Sequence, residues 1–132
     1  MSANTNPLDD PTVDPFEIAA QAASDIARLT GVAHHDIALT LGSGWGKAAE
    51  IIGETTATVP ATDVTGFSKP ALAGHVGSLR SILTPTGKRV LVIGARTHYY
   101  ENHGVRRVVH SVRTAAATGA KTMVLTLSLI HI

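Results

Sequence analysis

The chain has 132 residues, of which 11 are lysine or arginine and 10 aspartate or glutamate, and 44% are hydrophobic. That length suits one ordinary domain with a real core, while the balanced charge, without any like-charge block, speaks against nucleic acid or an anionic membrane surface as a partner. Cysteine is absent, so neither a disulfide framework nor a thiolate metal site can be built, and a cytoplasmic home is permitted.

In chain order, MSANTNPLDDPTV lacks the basic start and apolar stretch of an export signal and reads as a disordered tail over residues 1–13. Asp14-Pro15-Phe16-Glu17 then supplies an N-cap, a first-turn proline and an acid suited to a capping box. A helix is predicted from here, with Ile18, Ala22, Ile26 and Leu29 on one face and Gly31 as its stop. His34-His35 has no acidic or cysteine partner at metal spacing and reads as a surface turn. Ile37-Ala38-Leu39-Thr40-Leu41 is an apolar run short enough for an interior strand. It empties into Gly42-Ser43-Gly44-Trp45-Gly46, and Lys47 to Ile52 favours helix, with Gly53 to close it.

Residues 60–77, PATDVTGFSKPALAGHVG, mix proline and glycine at irregular spacing and predict a long loop of the sort that often carries function. Ser78 to Leu83 and Lys88 to Ile93 read as two strands joined through Thr84-Pro85-Thr86-Gly87. From Val105 a helix is expected with positions 105, 108, 109, 112 and 116 as its apolar face and Gly119 as its end, followed by a last strand over Thr122 to Leu127. Met123 to Ile132, the longest apolar run, is interrupted by Thr126, Ser128 and His131 and falls far short of a membrane span. The alternation predicts an α/β domain whose hairpin makes the sheet mixed, flanked by helices.

Two stretches concentrate chemistry. Gly42-Ser43-Gly44-Trp45-Gly46 stands where a strand feeds a helix, so its amides and the Ser43 hydroxyl could converge on an anion; the same glycines would equally serve a tight turn. Ala95-Arg96-Thr97-His98-Tyr99-Tyr100-Glu101 follows a buried strand, and strand alternation would put Arg96, His98 and Tyr100 on one side. A guanidinium fork, an imidazole and a phenol facing one space could hold an oxyanion beside a sugar hydroxyl, with Glu101 orienting the imidazole. His75, between glycines in the long loop, is either a third anion ligand or simply exposed. Arg106, Arg107, Arg113 and His110 form a basic stripe read as a solvated or subunit-facing surface, and Trp45 reads as a packing residue.

Together, GSGWG after a strand, GHVG in the loop, RTHYYE after the hairpin and GAKTMVLT as a closing strand resemble trimeric, low-molecular-mass purine nucleoside phosphorylase over about residues 16–126. The resemblance implies a phosphorylase/hydrolase-like fold and a pentosyltransferase of purine salvage that converts purine (deoxy)ribonucleosides and phosphate to free base and (deoxy)ribose 1-phosphate. It implies Ser43, His75, Arg96 and His98 as phosphate ligands, Tyr100 at the ribose, and His98 with Glu101 as the catalytic pair. It further implies phosphate as co-substrate, no metal or organic cofactor, and a homotrimer. The family often has glycine where Ala95 and Asn102 stand here, both small changes in a loop. Methylthioadenosine phosphorylase usually lacks the Tyr-Glu pair, so Tyr100-Glu101 favours the purine nucleoside branch; that enzyme, and a non-catalytic phosphate- or nucleotide-binding module, are the alternatives. After Val124-Leu125-Thr126 the family continues with Asn-Ala and a glycine pair, where this chain reads Leu127-Ser128-Leu129-Ile130-His131-Ile132. The expectation is therefore that residues 14–126 form the N-terminal part of one phosphorylase domain, that 127–132 are a non-native tail, and that the chain alone is inactive and poorly folded.

Overall fold

The computed structural model describes residues 6–41, 46–68, 77–94 and 104–126. Within them, β1 (Ile37–Thr40), β2 (Glu54–Pro60), β3 (Ser78–Leu83), β4 (Arg89–Ile93) and β5 (Thr122–Leu125) form one sheet in the order β2-β3-β4-β1-β5. β4, β1 and β5 run parallel, whereas β2 pairs antiparallel with β3 and β3 with β4. The α/β class and the mixed sheet expected from the hairpin are both present.

The helix α1 (Pro15–Thr30) begins where its sequence directs. Asp14 accepts from the Phe16 amide at 2.9 Å, Pro15 fills the first turn where no amide is needed, and Gly31 stops the helix at φ 74°. Ile18, Ala22 and Ile26 are buried as the spacing predicts, but Leu29 reaches solvent. On this side of the sheet Ala22, Ile26 and Ala115 pack with Ala38, Leu79, Leu91 and Ile93. The opposite side packs Ala49, Ile82, Val90 and Val92, with Ile37, Leu39, Leu41 and Ile52 only partly covered. Its cover among the described residues is the short helix α2 (Ala49–Ile52), preceded by a 3-10 turn at Gly46–Ala48.

Four expectations need correction. Residues 6–13 are not a disordered tail: Pro7–Asp9 form a 3-10 turn capped by Asn6, and Leu8 is buried, so the segment gains apolar burial that its polar composition hides. Glu54–Pro60 is a strand that the pattern did not announce, because an edge strand with mostly exposed side chains shows no clean alternation. The start of the long loop is structured too, with a 3-10 turn at Ala61–Asp63 and buried Ala61 and Val64. Finally, the helix from Val105 breaks at Val109 into α3 (Val105–Val108) and α4 (His110–Ala117), and its inward face is His110, Thr114 and Ala115, with Val105 and Val112 exposed. Gly119 follows at φ 96°.

Candidate functional site

Each segment singled out for chemistry enters or leaves the described fold at one edge of the sheet. β1 and β4 pair in parallel with Thr40 opposite Ile93, and β1 and β5 with Thr40 opposite Leu125. The antiparallel β3 starts at that same edge, since Leu79 pairs with Ile93 and Ser78 with Pro60. Hydrogen bonds tie the rim: Gly94 N donates to Ser78 O at 2.8 Å, Ala61 N to Gly77 O at 3.0 Å, and Thr126 N and Oγ1 to Thr40 O at 3.0 and 2.8 Å. Residues 42–45, 69–76, 95–103 and 127–132 therefore all join the described fold along the carboxyl edge of the parallel strands, where open α/β sheets bind ligands.

Ser43, His75, Arg96, His98, Tyr100 and Glu101 lie outside the described residues, as do Trp45 and Ala95. What the structure supplies is their frame. Gly94, just before that run, cannot carry a side chain: an added Cβ would stand 2.9 Å from the Ser78 carbonyl oxygen. At the exit of the glycine loop, Arg80 Nη2 donates to Gly46 O at 3.3 Å and brings a cation to the strand–helix junction. Thr40 Oγ1, at the end of β1, is a buried hydroxyl with no hydrogen-bond partner among the described residues.

The basic stripe is not a solvated face. Arg107 grips Asp9 through Nε at 2.8 Å and also through Nη2, while its Nη1 donates to Ser68 Oγ at 3.1 Å. Arg106 donates to the Asp10 and Val13 carbonyls, both at 2.6 Å, and the Arg113 guanidinium lies 4.9 Å from the centre of the Phe16 ring. His110 is buried against Phe67, with Nε2 2.8 Å from the Thr65 carbonyl oxygen, so Nε2 donates and Nδ1 is left unprotonated, with no partner among the described residues. Burial pushes the pKa of His110 down, against the opposing pull of that hydrogen bond. Thr65 in turn donates its amide and hydroxyl to Asp25. None of this was legible: residues 6–13 offer no motif, and a helical stripe of arginines does not announce its partners.

The two histidines before β1 also part ways. His34 is exposed, as a surface turn requires, but His35 is 0% exposed and its Nε2 meets Ser81 Oγ at 2.8 Å. Burial, aided by the positive charge of Arg89, lowers its pKa to about 4. Among the described residues no group of three or more His, Cys, Asp or Glu side chains is placed to hold a metal, and no helix is long and apolar enough to cross a membrane.

No family model matches the chain. Among curated proteins it is 57% identical to a purine nucleoside phosphorylase of Cellulomonas over 127 residues, and 49% identical to one of Mycobacterium tuberculosis over 118. Among solved structures it matches isoform 2 of purine nucleoside phosphorylase from Schistosoma mansoni in complex with cytosine and ribose-1-phosphate, at 30% identity and a TM-score of 0.73 over 88% of this chain. The likeness is to purine nucleoside phosphorylase. It takes in 93% of this chain and 45% of the Cellulomonas phosphorylase, 89% and 43% of the mycobacterial one, and 40% of the Schistosoma chain. The chain thus spans a little under half the length of the phosphorylases it matches, and the family suggested by its glycine loop and RTHYYE stretch is the one these comparisons return.

Proposed function

We propose that the chain supplies the phosphate half of a purine nucleoside phosphorylase site, and that the longer protein of which such a half is part converts purine (deoxy)ribonucleosides and phosphate to free base and (deoxy)ribose 1-phosphate. The observation that carries this reading is the match to phosphorylases over nearly the whole chain, in a fold that brings to one sheet edge Thr40, Gly77 and Gly94, beside which the glycine loop, the GHVG loop and the RTHYYE stretch begin or end. Ser43, His75, Arg96 and His98 are assigned to phosphate, Tyr100 to the ribose, and Glu101 to holding His98 or phosphate.

The residue types suit the reaction. Phosphate attacks the anomeric carbon as the purine leaves, through a transition state with cationic sugar character. A dianion fixed beneath the sugar is both nucleophile and stabilising charge, and a guanidinium fork with neighbouring donors fixes it in place. The reading takes phosphate as co-substrate and assigns no metal or organic cofactor. It places the protein in the cytoplasm as a homotrimer.

A chimera tests it. Replacing the 127 matched residues of the Cellulomonas enzyme with those of this chain should preserve phosphate-dependent splitting of inosine. Arg96→Gln in that chimera should lower kcat/KM by about two orders of magnitude, the usual loss when a donor to developing charge is removed. A folded chimera that leaves inosine intact, or an Arg96→Gln variant as fast as its parent, would overturn the reading.

A further inference from the structure

Val64 to Phe67 form a tight turn, closed by Phe67 N donating to Val64 O at 3.2 Å, with Gly66 at the positive φ that the third residue of a type II turn takes. Three other parts of the chain hold it. From α1, the Asp25 carboxylate accepts from the Thr65 amide at 2.9 Å and from its hydroxyl at 2.5 Å. From the N-terminal segment, Asn6 Nδ2 donates to Gly66 O at 2.8 Å. From α4, His110 Nε2 donates to Thr65 O at 2.8 Å, while the ring lies against Gly66 and stands edge-on to Phe67, with centroids 4.9 Å apart.

His110 is 1% exposed, and its buried Nδ1 has no hydrogen-bond partner among the described residues. The neutral ring leaves only a bare lone pair there. A proton on Nδ1 would add a donor without an acceptor and a charge without water, at the first residue of α4, where the helix dipole disfavours a cation. The charged groups around the turn give the imidazolium no relief. Arg113, on the same helix, opposes it; Asp25 of α1 is engaged by Thr65 and Arg28; Arg107 and Asp9 meet each other beside Ser68; and Asp63, in the preceding 3-10 turn, is exposed. Burial, which outweighs the Thr65 bond and is aided by Arg113, therefore pushes the pKa of His110 below the ordinary 6.5.

We propose that His110 is an acid-operated latch on this turn: neutral, it holds Thr65 and Gly66 against α4; protonated, it leaves its place, and residues 64–67 detach from α4 while the sheet stays folded. The inference is independent of the phosphorylase reading. It gives the α1 and α4 side of the sheet, where Val64 and Phe67 pack with Ala22, Ile26 and Ala115, a local response to pH.

Native-state hydrogen exchange of the 132-residue chain, followed by NMR at pH 7.5 and pH 5.5 and expressed as protection factors, tests it. An exposed imidazole takes up its proton around pH 6.5, so the opening that frees His110 should grow by up to about tenfold over that interval, and protection of the Thr65 and Phe67 amides should fall by the same factor. The opening is local, so low urea should speed exchange at Leu91, in the central β4, far more than at Thr65 or Phe67. His110→Gln can still donate to the Thr65 carbonyl but does not titrate, and should hold protection at both amides level between the two pH values. His35→Gln silences the other buried imidazole and should leave the fall in place, which decides the matter even if His110→Gln does not fold. Protection that is absent at pH 7.5, unchanged at pH 5.5 or lost in step with Leu91 in urea would overturn the latch. So would a fall that persists in His110→Gln or disappears in His35→Gln.

Discussion

His35 shows what a buried imidazole commits a protein to. Its folded pKa of about 4 lies below the ordinary value of 6.5, so between those values the unfolded chain takes up a proton that the folded chain refuses. Stability contributed by the neutral ring is fully present above pH 6.5 and is lost as pH falls toward 4. The downward shift of His110 works in the same sense. Urea unfolding at pH 7.5 and pH 5 should therefore give a lower midpoint in acid, and His35→Gln, which can still bond Ser81 but does not titrate, should flatten that difference while costing some packing. A slope unchanged by the substitution would mean that other groups set it. Beside His110, Gly66 holds φ at +85°, and an added Cβ would lie 2.5 Å from His110 Nε2. Gly66→Ala should destabilise by more than the roughly 1–2 kcal/mol of left-handed strain alone, measurable as a fall in Tm. Neither residue was legible, because a sequence names a histidine or a glycine without saying which ring packs against which turn.

At the level of elements, legibility followed the strength of local chemistry. The ends of α1 were readable because cap, proline and glycine each act within a turn of their own position, and Asp14→Ala should cost about 1 kcal/mol in unfolding free energy, whereas Asp14→Ser should cost little. The hairpin of β3 and β4 was readable from its turn. β2 was not, since it sits at the sheet edge and buries only Val59 well. The region after Gly104 misled for a different reason. Apolar spacing pointed Val105, Val112 and Ala116 inward, but the break at Val109 resets the helical phase. The polar groups turned inward are accommodated by specific partners: His110 by the Thr65 carbonyl, and Thr118 Oγ1, just beyond α4, by the Ala115 carbonyl at 2.7 Å. A rule that counts polar residues as outward cannot foresee such partners, whether one turn back, as for Thr118, or in another part of the chain, as for His110.

For the whole molecule, the motifs named candidate site residues, and the fold adds that the described residues next to those motifs lie along one sheet edge; the contact of Asp9 with Arg107 was not legible, because it joins residues nearly a hundred positions apart. The remaining question is what a sheet with one thinly covered side does in water. Parallel strands are ordinarily covered on both faces. Here Ile37 and Leu39 of the interior β1 are only partly covered, Val124 on the same face of β5 is 44% exposed, and Leu125, at the end of that edge strand and turned to the other face, is 62% exposed. An apolar strip beside a strand edge that no other strand pairs among the described residues is a template for pairing with another chain. The 132-residue chain is therefore expected to associate with rising concentration even though α1 and α4 close the other face. Sedimentation velocity over a concentration series should show this, and Val124→Lys with Leu125→Lys should suppress it without lowering Tm, since neither side chain is buried in the core. A chain that stays monomeric at every concentration, or charged variants that associate as readily as the parent, would show that the β5 edge is not what draws the molecules together.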